Sequence, residues 1–269
     1  NLIALAADAK VSVSTFAAGK GAEEVLEYTD LDGDLAIYNI RHNTISTTAA
    51  ISRKDRVENQ PAWSPDGKFL YFLSSPKVPK EEFEKVQYDL QRIGYDADRG
   101  TWGEAETLVS ARETGRGSTF PALSPDGRFL LFCMTDRGSF SIVRQSTDLY
   151  LMDLEKKSFR KLEINSDRSD SYHAWSSNSK WIVFTSKRSE GIFGKFFLSY
   201  VDGDGVVHSP IVLPQEDPRF YEKLTKSFQR AEFTTAPFRV SPARLNGIID
   251  DIGEIVTASW VGRSDGESY

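Results

Sequence analysis

The sequence predicts an all-β fold made of four-stranded units repeated side by side, and three observations predict it. One motif recurs three times: Pro61-Ala-Trp-Ser-Pro-Asp-Gly-Lys-Phe-Leu-Tyr-Phe72, Pro121-Ala-Leu-Ser-Pro-Asp-Gly-Arg-Phe-Leu-Leu-Phe132 and His173-Ala-Trp-Ser-Ser-Asn-Ser-Lys-Trp-Ile-Val-Phe184. Its spacings, 60 residues from Trp63 to Leu123 and 52 from Leu123 to Trp175, mark one supersecondary unit used repeatedly. The run that follows each motif is apolar at nearly every position rather than alternately, which is how a strand reads when both of its faces are covered. Units of this kind are the blades of a β-propeller, whereas a tandem immunoglobulin-like array needs units of about 100 residues.

Each unit opens on a short segment ending at Trp63-Ser64, Leu123-Ser124 or Trp175-Ser176. Pro65-Asp66-Gly67 and Pro125-Asp126-Gly127 then make a tight turn: Pro presets φ, Asp bonds its own backbone and Gly accepts positive φ. In the third copy Asn178 and Ser179 stand there, and the turn survives because Asn tolerates the left-handed region. Second strands follow at 69–73, 129–134 and 181–184, third strands from Asp89, Asp148 and Lys195, and fourth strands at 104–109, 158–162 and 206–213. Polar turns join the last two: Asp98-Arg-Gly100, Glu155-Lys-Lys157 and Asp202-Gly-Asp-Gly205.

The same register assigns Asp34-Leu-Ala-Ile-Tyr-Asn39 to a third strand, 44–50 to a fourth and Leu2-Ile-Ala-Leu5 to a second, with no first. The expectation is three complete blades plus one partial blade over 1–213, where closed propellers have four to eight. A missing N-terminal segment, another copy of the chain in a homo-oligomer, or the tail would supply what is absent. Over 214–269 the sequence predicts a short helix and an irregular tail packed on the propeller. Asp217 caps that helix, Pro218 starts it, and Phe220, Leu224 and Phe228 share one of its faces. One further strand is expected within 254–261, and a polar frayed end after it. The chain opens at Asn1 straight into apolar residues, which reads as a processed or cut start.

Composition narrows the function. With 33 basic and 39 acidic residues the net charge is -6, so no global field recruits nucleic acid or anionic lipid. The single cysteine, Cys133, excludes intramolecular disulfides and cysteine-clustered metal sites, and its apolar surroundings read as core. No apolar stretch is long enough for a membrane span.

At the Ser-Pro-Asp-Gly residues the chain resembles the TolB-like, WD-repeat-like propellers, whose repeat runs Pro-x-Trp-Ser-Pro-Asp-Gly-Lys, an apolar run, then Asp-Leu-Tyr. The likeness covers 34–213, with Leu123 for Trp and Ser177-Asn178-Ser179 for Pro-Asp-Gly as departures. Residues 171–181, Pro214 and Phe220-Tyr221 also resemble the end of larger exported TolB-like proteins. The resemblance implies a non-catalytic protein-binding or scaffolding role in the bacterial periplasm or beyond, with a protein or cell-envelope component as partner.

Strand order divides the loops between two faces. The Pro-Asp-Gly turns share one, and the longer loops at 53–60, 112–120, 165–173, 74–87, 135–147 and 186–194 share the other, where function is expected. Arg56, Arg116, Arg137, Lys187 and Arg188 predict a basic mouth there, suited to an anionic protein surface or acidic glycan. Asn59, Gln60, Thr119, Phe120, Tyr172 and His173 directly precede the inner strands and are placed at the central funnel. Trp63 and Trp175, by contrast, read as packing between blades.

Searches for chemistry return little. A Gly-x-Ser-x-Gly elbow is absent, since Gly117-Ser118 and Gly138-Ser139 lack the flanking glycines, and Gly19-Lys-Gly21 begins no phosphate loop. No cofactor and no catalytic residue are assigned. Asp30-x-Asp32-Gly-Asp34 and Asp202-Gly-Asp204 can hold Ca²⁺ but read as ordinary turns, because an EF-hand would need Glu where Arg41 stands. The three histidines lack ligand spacing. Propeller-fold polysaccharide lyases also resemble these repeats, so an enzyme acting on acidic sugars, with His173 at its funnel, is the alternative.

Overall fold

A computed structural model describes residues 2–8, 11–17, 24–138, 141–189, 191–223, 225–237, 239–250 and 257–263. Its strands form four-stranded sheets in succession along the chain, the blades of a propeller. The first contains β1 (Leu2–Asp8), followed by a separate hairpin of β2 (Val11–Ala17) and β3 (Glu24–Asp30), then β4 (Gly33–Asn39) and β5 (Thr44–Thr47). The second is β6 (Arg56–Trp63), β7 (Phe69–Pro76), β8 (Asp89–Asp96) and β9 (Thr101–Val109). After a single-turn helix α1 (Ala111–Thr114), the third is β10 (Gly117–Leu123), β11 (Phe129–Thr135), β12 (Asp148–Asp153) and β13 (Ser158–Lys161). The fourth is β14 (Asp170–Trp175), β15 (Trp181–Ser186), β16 (Lys195–Tyr200) and β17 (Ile211–Val212). Neighbouring strands within the last three blades are antiparallel throughout.

The continuous apolar runs follow from the core being shared. In β7, Leu70 and Phe72 face a cluster with Leu35, Ile37 and Ile51 of the first blade, while Tyr71 and Leu73 face the third blade. In β11, Leu130, Phe132 and Met134 face back to the second blade, while Phe129, Leu131 and Cys133 meet Ile182 and Phe184 of the fourth. Phe72, Phe132 and Phe184 are fully buried, each contributing about 1.5–3 kcal/mol relative to exposure.

The turns work as their chemistry requires. Ser64 Oγ donates to Asp66 Oδ1 (2.7 Å) and accepts from the Phe69 amide (2.9 Å), and Gly67 sits at φ 71°. Ser124, Asp126, Phe129 and Gly127 repeat this arrangement. In the last copy Asn178 takes the acceptor role of Asp, and Ser179, at φ 59°, takes the role of Gly.

Four features depart from the sequence-based expectation. The β2–β3 hairpin, between the second and third strands of the first blade, was not expected. Residues 217–228 do not form a helix: a 3-10 turn covers Phe220–Lys223 alone, and Leu224 lies outside the described residues. Tertiary contacts hold this segment instead. The Phe228 amide donates to Gly194 O (2.9 Å), its ring lies 5.2 Å from Phe196, and the Tyr221 hydroxyl donates to Leu213 O (3.1 Å), so it covers the outer face of the fourth blade. The helix of the tail is α2 (Pro242–Asp250), within a stretch expected to be irregular, with Ser241 Oγ accepting from the Arg244 amide. Finally, the tail strand β18 (Ser259–Arg263) pairs parallel with β5 at the outer edge of the first blade. It therefore does not take the vacant innermost position.

Candidate functional site

The three complete blades share a backbone irregularity on their innermost strands. Pairing of β6 with β7 skips between Asn59 and Ala62, of β10 with β11 between Thr119 and Ala122, and of β14 with β15 between Ser171 and Ala174. Within each bulge one residue adopts the left-handed conformation: Gln60 (φ 47°), Phe120 (φ 53°) and Tyr172 (φ 47°). None is Gly, and such positions cost about 1–2 kcal/mol each, persisting only where the surrounding structure imposes them. Bulges re-aim side chains, and here all three residues line one cavity of about 370 Å³. This is the central funnel.

Its wall mixes polar and apolar surface in about equal parts, with two aromatic rings. Ala4, Pro61, Pro121 and Ala122 complete the lining, and the Phe120 and Tyr172 rings meet at 4.7 Å and 48°. Gln60 Oε1 accepts from the Phe120 amide at 2.6 Å, locking one bulge to the next. Burial pushes the Tyr172 phenol above its ordinary range, partly offset by Arg230. Arg230, itself at φ 56°, is brought to the funnel by the tail and supplies its positive charge.

His173 is at the funnel wall, but its ring is committed to the core. Nε2 donates to Leu131 O at 3.1 Å, and Nδ1 lies 3.5 Å from Cys133 Sγ. Burial lowers the imidazole to about 4 and raises the Cys133 thiol to about 12, so both groups are neutral, and the thiol shares its one proton among His173 Nδ1, Ser171 Oγ (3.5 Å) and Asp170 O (3.8 Å). A neutral histidine with both nitrogens engaged holds blades together. Thr119 is fully buried nearby, and Asn59, also buried, accepts from the Gln60 amide at 2.7 Å.

The expected basic mouth is largely consumed by internal pairing. Arg56 Nη2 donates to Asp89 Oδ2 (2.7 Å) and Nε to Ser74 Oγ (2.7 Å). Arg116 donates to Met134 O (2.9 Å), to Ser146 O and to Asp148 Oδ2 (3.4 Å). Arg188 donates to Ile164 O, to Ser186 Oγ and to Asp170 Oδ1 (2.9 Å), and lies over the Phe197 ring at 4.6 Å. In each case a first-strand or loop arginine is tied to a carboxylate that opens a strand, so these cations act as staples within blades. Arg137 pairs with Glu84 at 3.0 Å, and burial lowers the Lys187 amine.

The oxygen-rich turns are likewise engaged. Asp202 accepts from the Asp204 and Val206 amides and pairs with His208 Nε2 at 3.2 Å, while Asp32 pairs with Lys77. Among the described residues no cluster of three or more acidic, histidine or cysteine side chains gathers.

Of the candidate residues, Gln60, Phe120, Tyr172 and His173 are therefore brought together, and the arginines are distributed over separate blades. Arg230 was missed. It stands in no repeat and no periodic segment, so only the path of the tail reveals it.

No family model matches the chain, and no curated protein matches it. Solved structures do resemble it. The β-propeller domain of the Trilobed protease from Pyrococcus furiosus is 14% identical with a TM-score of 0.37, over 61% of this chain and 44% of that one. An oligogalacturonate lyase in complex with manganese is 13% identical with a TM-score of 0.49, over 71% and 50%. A protein described as TolB from Agrobacterium tumefaciens is 18% identical with a TM-score of 0.36, over 66% and 68%. The chain thus spans about half the length of the first two. By its own topology, successive four-stranded blades sharing cores around one funnel, the chain is a β-propeller.

Proposed function

We propose that this chain is a non-catalytic, TolB-like binding module of the bacterial periplasm or cell exterior, and that its funnel takes an extended acidic segment of a partner protein. The observation that carries this reading is the convergence of three left-handed bulge residues with Arg230 in one cavity. Aromatic faces at Phe120 and Tyr172 offer large, stiff contact area, Gln60 offers an amide, and Arg230 offers a planar cation for a carboxylate. The loop-face arginines contribute to this reading only by shaping the blades. Among the described residues lining the funnel, none pairs a nucleophile with an uncommitted base, which favours binding over turnover.

Titration with a fluorescent Glu-rich peptide containing one aromatic residue tests the reading. Binding should weaken at least tenfold in Arg230→Glu and in Tyr172→Ala, and should fall with rising salt. Unchanged affinity in Arg230→Glu, or no binding at low salt, would refute it. Polygalacturonate serves as the comparison: new ultraviolet absorbance on incubation would favour the lyase alternative.

A further inference from the structure

The internal repeat identifies which strand position is empty and what should fill it. Asp34-Leu35, Asp89-Leu90 and Asp148-Leu149 align along the third strands, with Lys195 in the same place in the last blade, and Asp34, Asp89, Asp148 and Lys195 stand opposite Ala7, Ser74, Met134 and Ser186. Counting back four residues makes Ile3, Leu70, Leu130 and Ile182 equivalent. Leu70, Leu130 and Ile182 pair with Trp63, Leu123 and Trp175 on an innermost strand. Ile3 has no such partner: among the described residues, β1 pairs with β4 on one edge and with nothing on the other, and Ile3 is 42% exposed.

Trp63 supplies an independent sign of the vacancy. In the fourth blade, Trp175 Nε1 donates to Ala122 O at 3.1 Å, a carbonyl on the innermost strand of the preceding blade. Trp63 occupies the same position two repeats earlier, and its Nε1 is shielded from water with no partner among the described residues. Ala122 stands opposite Leu131, whose equivalent in the first blade is Ala4. The missing acceptor therefore belongs on a strand running beside β1, opposite Ala4. A shielded indole N–H without an acceptor is costly, and the other indole of the pair shows how the fold satisfies it.

We propose that the free edge of β1 is a strand-addition site that takes an extended polypeptide segment, antiparallel to β1, whose carbonyl opposite Ala4 accepts from Trp63 Nε1. The three existing innermost strands define its chemistry. Ala62, Ala122 and Ala174 all occupy the acceptor position, and Trp63, Leu123 or Trp175 follows. The occupant carries a small residue opposite Ala4 and a bulky apolar residue directly after it, opposite Ile3. Main-chain pairing supplies affinity and these two positions supply selectivity.

The probe is a synthetic peptide with the sequence of residues 117–124, which has this pattern and no tryptophan, added to the full chain. The readout is the indole N–H resonance of Trp63 in a ¹⁵N–¹H spectrum, assigned by its loss in Trp63→Phe. Saturable binding that moves this resonance downfield is expected. Affinity should fall about tenfold in Trp63→Phe, the loss of one buried hydrogen bond. On the wild-type protein, a peptide with Ile in place of its Ala should also bind at least tenfold more weakly, which avoids any folding defect of the variant. An unmoved resonance at millimolar peptide, or equal affinity for the Ile-containing peptide, would overturn the proposal. So would a dimer of the chain in which the resonance is already shifted and peptide has no effect, because a second copy would then fill the edge.

Discussion

Replacing His173 with Gln should abolish a specific part of the acid sensitivity of this fold. In the folded protein the imidazole is lowered to about 4 by burial, against 6.5 when free. Above 6.5 the ring is neutral in both states and contributes no pH dependence. As pH falls below 6.5 the unfolded chain takes up the proton while the folded protein does not, so stability drops until the folded pKa is reached. At about 1.4 kcal/mol for each tenfold difference in proton affinity, the fall from 6.5 to about 4 amounts to about 3 kcal/mol. The difference between wild type and His173→Gln isolates this contribution from the carboxylates that titrate in the same range, including Glu58, whose carboxyl burial raises. Urea midpoints measured from pH 7.5 to 4 should converge as pH falls, the wild type losing about 3 kcal/mol relative to the variant. Parallel curves would refute the assignment of His173 as a buried neutral group.

Two further perturbations probe the blades. Arg188→Ala leaves the fully buried Asp170 without its cation and should cost about 3–5 kcal/mol, whereas Arg112→Ala, at an exposed position, should change stability by less than about 0.5 kcal/mol. Thermal unfolding checks both, and a melting temperature for Arg188→Ala within 2 °C of wild type, as about 2–4 °C per kcal/mol applies at this size, would sink the staple role. Gly127→Ala should cost about 1–2 kcal/mol from its left-handed φ alone, since no atom lies within 4 Å of the added Cβ. Gly205→Ala should cost more, because its Cβ would stand 2.7 Å from the Phe129 ring; equal losses in chemical denaturation would contradict this.

What was legible in the sequence was whatever the repeat imposes. The turn residues, the doubly covered strands and the partial first blade all follow from spacing and from apolar pattern. Register put Gln60, Phe120 and Tyr172 just before the inner strands, whereas they lie inside β6, β10 and β14, which begin earlier than the motif suggests. Their bulge was not legible at all, since it is a property of backbone pairing that no residue type announces: Gln, Phe and Tyr are not left-handed formers. The arginines misled for a related reason. Charge composition locates cations on a loop face, but only the fold brings Asp89, Asp148 and Asp170 within reach of them. The helix expected at 217–228 had good start chemistry, yet Phe220 and Phe228 pack on one another and on the fourth blade without a continuous helix, tertiary contact overriding local propensity.

The repeated bulge also separates scaffold from specificity. Because the same skip in pairing recurs on all three innermost strands, one backbone site carries an amide, a phenyl ring and a phenol in successive blades. Two codons, those of Phe120 and Tyr172, could therefore be varied together to give the protein a new recognition surface, with Gln60 kept for its bond to the Phe120 amide and the shared cores behind them untouched.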